Sequence, residues 1–154
     1  MFFFGTFEHS IDDRGRVAIP ARYRPAFDTG GVLRDGPEGC VEMYTSAGFD
    51  DAIQRRLGAE GAGSNIGRGG RRIRRAFLPS AFAVELDRQG RVLVPQPLRQ
   101  AASLGKDYVV VIGCGDYLEI WSPDAWQAEL GKLAAESEAG VDGPASMSQS
   151  PAGG

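Results

Sequence analysis

One nine-residue pattern occurs twice in this chain, and it constrains the architecture more than any other feature. The first copy is DDRGRVAIP at residues 12–20, and the second is DRQGRVLVP at residues 87–95, which begins 75 residues later. Internal repeats set the architecture of a chain, but two copies are too few for a solenoid. The repeat therefore predicts two similar halves that cover each other's apolar faces in one compact body.

Each copy predicts a tight polar loop between two strands. A glycine after two polar residues supplies a positive φ, so Gly15 and Gly90 are expected to allow the turns. Asp12 and Asp87 are expected to shape the loops by accepting hydrogen bonds from turn amides. The three residues before each proline are typical of a short strand, because proline cannot donate to a ladder. The repeated unit is thus strand, polar loop, strand and helical turn.

The remaining pattern repeats the same order of elements in both halves. Strands are predicted at residues 2–11, 39–44, 108–113 and 117–121, with helices at 49–57 and 124–138. The last helix is expected to turn Trp126, Leu130 and Leu133 inward. We therefore assign residues 1–57 to the first repeat, 58–70 to a glycine-rich connector, 71–138 to the second repeat and 139–154 to a disordered tail.

Charge is distributed unevenly along the chain. The formal net charge is −3, yet the basic residues are almost all arginines, which cluster at 14–24, 68–75 and 88–99. Acidic residues gather at 35–60 and 116–142. A local positive face can bind phosphate even when the net charge is negative.

The arginines of the two loops are the main candidates for a binding function: Arg14, Arg16, Arg88 and Arg91. A guanidinium group is always charged, and its planar fork matches a phosphate or the edge of guanine. An equally weighted alternative makes Asp12–Arg16 and Asp87–Arg91 internal ion pairs that tie each loop to the core. Arg14 and Arg88 lie in mid-turn, where a structural role explains them less well.

Five arginines in residues 68–75 form a second basic run. One interpretation is a segment that contacts phosphates or bridges subunits. The other, slightly favoured, is the start of a helix that pairs with the acidic 116–142 region of its own or a neighbouring chain.

Catalysis and metal binding have little support in the sequence. His9 is the only histidine, and Cys40 and Cys114 show no ligand spacing, so we expect no enzyme, no metal and no cofactor. Both cysteines are expected to be small buried residues of a reducing compartment. The chain shows neither a signal peptide nor a membrane span, which predicts a cytoplasmic protein. The aromatic residues are expected in the core or in a subunit interface.

Taken together, these motifs resemble those of the MraZ family of bacterial transcriptional regulators, which is related to the AbrB and SpoVT looped-hinge DNA-binding domains. The resemblance rests on the doubled Asp-x-x-x-Arg motif, the opening Met-Phe-x-x-Gly, and the arginine-rich run before residues 76–78. The closing Glu119-Ile120-Trp121 with Trp126 adds to it. The similarity covers about residues 1–138.

The resemblance implies a mainly β protein with short helices (α+β), built as a pseudo-twofold swapped-hairpin β-barrel from two internal repeats. It also implies ring-shaped homo-oligomers in the nucleoid that bind double-stranded DNA at promoter repeats of the division and cell-wall gene cluster. The resemblance makes Arg16 and Arg91 the DNA contacts, and we expect these two to read base edges while Arg14 and Arg88 hold phosphates. The alternative is a non-enzymatic oligomeric scaffold whose arginine loops bind acidic protein surfaces.

Overall fold

The computed structural model describes residues 1–59, 67–105 and 107–139. Residues 1–122 form one compact unit, which contains the strands of both repeats. The second unit begins at Pro123, and its described part is a single helix. The fold is α+β, as predicted.

Six antiparallel strands form the main sheet of the first unit. Their bounds are β1 Thr6–Ser10, β3 Gly31–Asp35, β4 Val41–Thr45, β5 Phe82–Val84, β7 Tyr108–Gly113 and β8 Leu118–Trp121. The order across the sheet is β1-β7-β8-β4-β3-β5, so β1 and β5 are its two edges. Two further strands, β2 Arg16–Ala18 and β6 Arg91–Leu93, form a separate antiparallel pair with Val17 opposite Val92.

The main sheet reads the same from both edges when the repeats are exchanged. The edge strand of the first repeat, β1, pairs with β7 of the second repeat, and β5 of the second pairs with β3 of the first. At the centre, β4 and β8 pair with Glu42 opposite Glu119. Each repeat therefore supplies strands that only the other repeat can pair.

Helices connect several of these strands along the chain, and α4 comes after the last strand in the sequence. The α-helices are α1 Ser46–Ala59, α2 Arg68–Phe77, α3 Gln96–Ala101 and α4 Pro123–Glu138. Short 3-10 helices span Ala21–Phe27 and Pro37–Gly39. Pro25 lies inside the first of these, where the tighter 3-10 turn replaces a regular α-helix.

The alternation of side chains along β4 separates two apolar clusters on opposite faces of the main sheet. Val41 and Met43 belong to the main core, which also contains Val17 of β2 and Val92 of β6. Tyr44 points to the other face and packs in a smaller cluster with residues of α1 and α2. The β2–β6 pair and the α1–α2 pair thus lie on opposite faces.

Helix α4 carries no buried residue among its sixteen. The prediction that Leu130 points inward is wrong, because 40% of its surface is exposed. Trp126 and Leu133 are half-buried. The helix itself and its bounds agree closely with the prediction.

The closed barrel predicted from the resemblance is also wrong, since the structure has an open six-stranded sheet and a separate strand pair. Strands β3 and β5 were not predicted. Helices α1 and α2 take up both ends of the predicted connector, and residues 60–66 between them lie outside the described residues. The predicted disordered tail lies outside them from residue 140 onward.

Candidate nucleic-acid interface

The two polar loops lie side by side. The strands that leave them, β2 and β6, pair with Ala18 opposite Arg91 and Arg16 opposite Leu93. One terminal nitrogen of Arg91, Nη1, lies 3.7 Å from the carboxylate of Asp12 in the other loop. The pairing of β2 with β6 therefore brings both loop arginines, Arg16 and Arg91, to one local surface.

Asp12 organises the first loop through both of its carboxylate oxygens. Oδ1 accepts the backbone amides of Arg14 at 3.0 Å and of Arg16 at 2.8 Å. Oδ2 accepts Nε of the Arg16 side chain at 2.6 Å. One carboxylate thus fixes the turn and forms the internal Asp12–Arg16 ion pair that the structural alternative predicted.

Asp87 repeats this arrangement in the second loop. Its Oδ1 accepts the amides of Gln89 and Arg91, each at 2.9 Å, and its Oδ2 accepts Nε of Arg91 at 3.0 Å. Each aspartate thus accepts hydrogen bonds from two amides of its own turn.

The hydrogen bonds and arginines around these carboxylates favour their charged forms. The amide of Arg16, the Arg16 side chain and the amide of Arg14 together lower the pKa of Asp12 to about 2. The amide of Arg91 is the main cause that lowers the pKa of Asp87. Both loops therefore keep a fixed carboxylate at neutral pH.

The loop glycines have the positive φ that the turn requires, +89° at Gly15 and +76° at Gly90. Each also lies against an arginine of the other repeat. A Cβ atom at Gly15 would lie 2.6 Å from the Arg99 side chain, and one at Gly90 would overlap the Arg24 side chain. Glycine is thus required by close approach as well as by conformation.

Arg24 and Arg99 each pack against the loop glycine of the opposite repeat, and we call these two residues the braces. The amide of Ile19, just before Arg24's helix, donates to Gly90 O at 3.0 Å, and the amide of Val94 donates to Gly15 O at 2.9 Å. Arg24 Nε also donates to Ile19 O at 2.8 Å. Arg24 and Arg99 each lie four residues after the proline that ends their repeat of the motif, and this equal spacing is the signal in the sequence that marks them as counterparts.

Arg14 and Arg88 are exposed at the tips of the loops. They do not occupy equivalent positions, because Arg14 aligns with Gln89 and Arg88 aligns with Asp13. The two loops therefore share a backbone and an Asp–Arg pair but present different residues between them.

The histidine and the two cysteines are not part of the two loops. His9 is half-buried in β1, and burial together with Arg24 lowers its pKa. Cys40 is buried as predicted, whereas Cys114 is half-buried. Within residues 1–59, 67–105 and 107–139, no group of three or more histidine, cysteine or acidic side chains could hold a metal ion.

The aromatic residues divide between core and surface. Phe3, Phe77 and Trp121 are buried, whereas Phe2 and Phe4 are largely exposed. No helix in the described part of the chain is both long enough and apolar enough to cross a bilayer.

Comparison with known families agrees with the doubled motif. A family model described as "MraZ protein, putative antitoxin-like" matches residues 2–61 and 77–143. The chain belongs to the MraZ family. Both loops lie inside the matched stretches. Residues 62–76 lie outside them, so the arginine-rich run is not covered by the family match.

Curated relatives carry the name transcriptional regulator MraZ. The protein of Thermomicrobium roseum is 42% identical over 134 residues, which cover 87% of this chain and 91% of the relative. That of Roseiflexus castenholzii is 40% identical over 88% of this chain and 91% of its own length. That of Bifidobacterium longum is 41% identical, covering 88% and 85%. The family is named for regulation of transcription and not for an enzymatic reaction.

Proposed function

We propose that this MraZ-family chain is a sequence-specific DNA-binding regulator that reads promoter repeats with the arginines of its two loops. One observation carries the proposal: two guanidinium groups, each held by the aspartate of its own loop, lie on adjacent loops. Relatives named as transcriptional regulators support the regulatory part of the proposal.

The aspartate contacts favour base reading because they restrain the arginines before DNA arrives. Arg16 and Arg91 use Nε for their own aspartate, and a guanidinium group carries four further N–H donors. An arginine fork can donate two bonds to O6 and N7 of guanine in the major groove. A side chain that is already restrained loses less entropy on binding. The ion pairs and the DNA contacts are therefore compatible interpretations of the same residues.

Arg14 and Arg88 would contact phosphates beside the base-reading pair. Both are exposed, and an exposed arginine next to the groove neutralises phosphate without discriminating sequence. Because they sit at unequal positions, the two loops would grip the backbone at different distances from their base contacts.

Homo-oligomerisation would add avidity when several promoter boxes are engaged at once. A ring of copies, associated with the nucleoid and bound at repeats near the division and cell-wall genes, fits this scheme. The swapped-hairpin description also stays a proposal, which the pairing of β1 with β7 and of β2 with β6 across the repeats supports.

The test compares duplexes that carry the repeats upstream of the protein's own gene cluster with scrambled duplexes at fixed salt. The Arg16→Ala, Arg91→Ala double variant should lose about 1–3 kcal/mol for each base contact removed, and with it the preference for the repeats. Arg55→Ala is the control, because Arg55 is an exposed arginine on α1 that pairs with Asp116 at 3.2 Å.

Two results would contradict the proposal. A folded double variant that keeps full preference for the repeats would remove the arginines from base reading. Wild-type protein that binds both duplexes equally, but binds acidic proteins tightly, would favour the scaffold alternative.

A further inference from the structure

We propose that helix α2 and the cleft beside it form a subunit interface that receives helix α4 of a second copy of this chain. The inference rests on the homo-oligomer of the proposed function and names the surfaces that build it. It concerns residues 68–76 in particular, which lie outside the family match.

Helix α2 presents an uninterrupted basic row to solvent. Arg68, Arg72 and Arg75 are exposed and follow one another at i, i+4 and i+7, which places them on one helical face. The helix contains no acidic residue that could neutralise them. We name these three residues the arginine row.

A cleft of about 480 Å³ borders this row. Ile73, Ala76 and Phe77 of α2 line it, together with Arg56 of α1 and residues 34–37, which include the exposed Asp35. Two guanidinium groups lie near the Phe77 ring, that of Arg34 at 4.2 Å and that of Arg56 at 4.1 Å from its centroid. Ala76 lies one turn after Arg72, so an apolar floor adjoins a positive rim.

Helix α4 has the complementary pattern. Leu130, which is exposed, and Leu133, which is half-buried, lie one turn apart on one apolar stripe. Glu129 and Glu136 flank this stripe on one side at i and i+7. Helices in proteins are stabilised mainly by packing an apolar face. The stripe and its acidic flank therefore fit a partner with an apolar floor and a basic rim.

The spacing of the charges also matches. Arg68 and Arg75 are seven residues apart, and so are Glu129 and Glu136. Seven residues span about 10.5 Å along a helix at roughly 1.5 Å per residue. The pair Arg68 and Arg75 can therefore contact the pair Glu129 and Glu136 side by side. The leucines would then enter the cleft, as in other helix-in-groove interfaces.

A protein partner explains the arginine row better than DNA does. The α1–α2 pair covers the face of the main sheet that carries Tyr44, whereas β2, β6 and their loops cover the face that carries Val41 and Met43. A duplex held by the loops would thus meet the opposite side of the sheet from the arginine row. The acidic helix of another copy reaches this side without conflict with DNA.

Charge reversal tests the interface. The row variant carries Arg68→Glu, Arg72→Glu and Arg75→Glu, and the helix variant carries Glu129→Arg and Glu136→Arg. Each variant alone should have a lower molar mass than the wild-type assembly in size-exclusion chromatography coupled to light scattering. Its assembly should need a protein concentration at least tenfold higher. An equimolar mixture should regain it, because every interface in an alternating assembly is then complementary. Wild-type protein that is monomeric, or unchanged assembly in both variants, would overturn the inference.

The matched control for the helix variant is Asp124→Arg with Glu138→Arg, which reverses the same number of charges away from the Glu129–Glu136 side. It should assemble normally. A chain that carries both the row and helix changes distinguishes pairing between copies from pairing within one chain. Assembly of that chain, without recovery in the mixture, would overturn the inference in favour of pairing within one chain.

Binding of a duplex with a single promoter box separates this inference from the proposed function. The row variant should bind one box like the wild type, since the loops are unchanged, and lose only the added affinity for several boxes. Weaker binding to one box at unchanged mass would place the arginine row on DNA and overturn the inference. Wild-type protein that assembles as expected but binds no DNA would contradict the proposed function alone.

Discussion

The two loops are built alike where they meet the fold and differently where they face solvent. Both have a carboxylate that accepts two amides and an arginine Nε, and both have a glycine packed under an arginine of the other repeat. Between these fixed points, the first loop presents Asp13 and Arg14, whereas the second presents Arg88 and Gln89. The shared residues set the loop backbone, and the different residues are free to set what each loop contacts.

A second difference is the set of arginines that lie near each carboxylate. Asp12 faces Arg16 at 2.6 Å and also Arg91 of the other loop at 3.7 Å, whereas Asp87 pairs with Arg91 of its own loop at 3.0 Å. The braces differ too, because Arg24 Nε donates to Ile19 O while Arg99 Nε is buried with no hydrogen-bond partner among the described atoms. The carboxylate of the first loop thus links the two repeats. The arginine that packs on this loop, Arg99, is the one whose Nε lacks a hydrogen bond among the described atoms.

The largest test of this comparison replaces the loop glycines. Gly90→Ala should destabilise the fold by about 2–3 kcal/mol, since alanine is strained at positive φ by about 1–2 kcal/mol and displacing Arg24 breaks a hydrogen bond that contributes about 0.5–1.5 kcal/mol. Gly15→Ala should cost less, because Arg99 Nε has no bond to lose. Urea unfolding measures both.

Gly39→Ala is the matched control for these variants. Gly39 has φ of +86°, yet a Cβ atom there would meet nothing within 4 Å. It therefore reports the conformational strain alone. If all three alanine variants lost the same stability, the packing of arginines against the loop glycines would have no energetic role.

The next test neutralises the carboxylates one at a time. Asp12→Asn should reduce the preference for promoter repeats over scrambled DNA about tenfold, or ~1.4 kcal/mol, because it loosens Arg16 and removes a neighbour of Arg91. Asp87→Asn should reduce it less. Affinity for scrambled DNA should rise in both variants, since a negative charge near phosphate is removed. Equal losses of preference would show that Asp12 does not link the loops.

A smaller effect is expected at the loop tips. Arg14→Ala and Arg88→Ala should each weaken binding to all duplexes alike and reduce the slope of log affinity against log salt by about 1. Gln89→Ala is the control at the position that aligns with Arg14, and it should leave that slope unchanged. A change in preference between sequences would instead place Arg14 or Arg88 on a base edge.

The smallest effect concerns acid stability. A carboxylate whose pKa is lowered by folding stabilises the protein above its unfolded pKa, and this contribution is lost as pH falls through the folded value. For Asp12 the loss should run from about pH 4, near the unfolded pKa, down to a folded pKa of about 2. Asp12→Asn should reduce the pH dependence of the free energy of unfolding in this range more than Asp87→Asn does, as measured by urea unfolding at several pH values. Identical reductions would remove the difference between the two carboxylates.

Much of the fold followed from local pattern. The strands at β7 and β8 and the bounds of α4 were predicted because long apolar runs, a Gly-Asp turn and a Ser-Pro start are strong local signals. Strands β3 and β5 were missed because their sequences, GVLRD and FAV, show no alternation of apolar and polar residues. Their positions depend on pairing across repeats, which no local window contains.

The candidate site was predictable in its residues and not in its contacts. The doubled motif identified Asp12, Arg16 and their counterparts, and turn chemistry identified the glycines. The braces by Arg24 and Arg99 depend on how the repeats pack, so spacing alone marked them without explaining them. The closed barrel failed for a similar reason: whether sheet edges meet is decided by tertiary geometry.

The exchange of edge strands has a consequence for synthesis on the ribosome. Strand β1 is among the first segments made, yet its partner β7 begins at Tyr108, about a hundred residues later. At roughly 5–20 residues per second, the nascent amino terminus waits on the order of 5–20 s before its hydrogen bonds can form. If translation stalls between the repeats, the unpaired edge of β1 stays exposed and can pair with a strand of another chain.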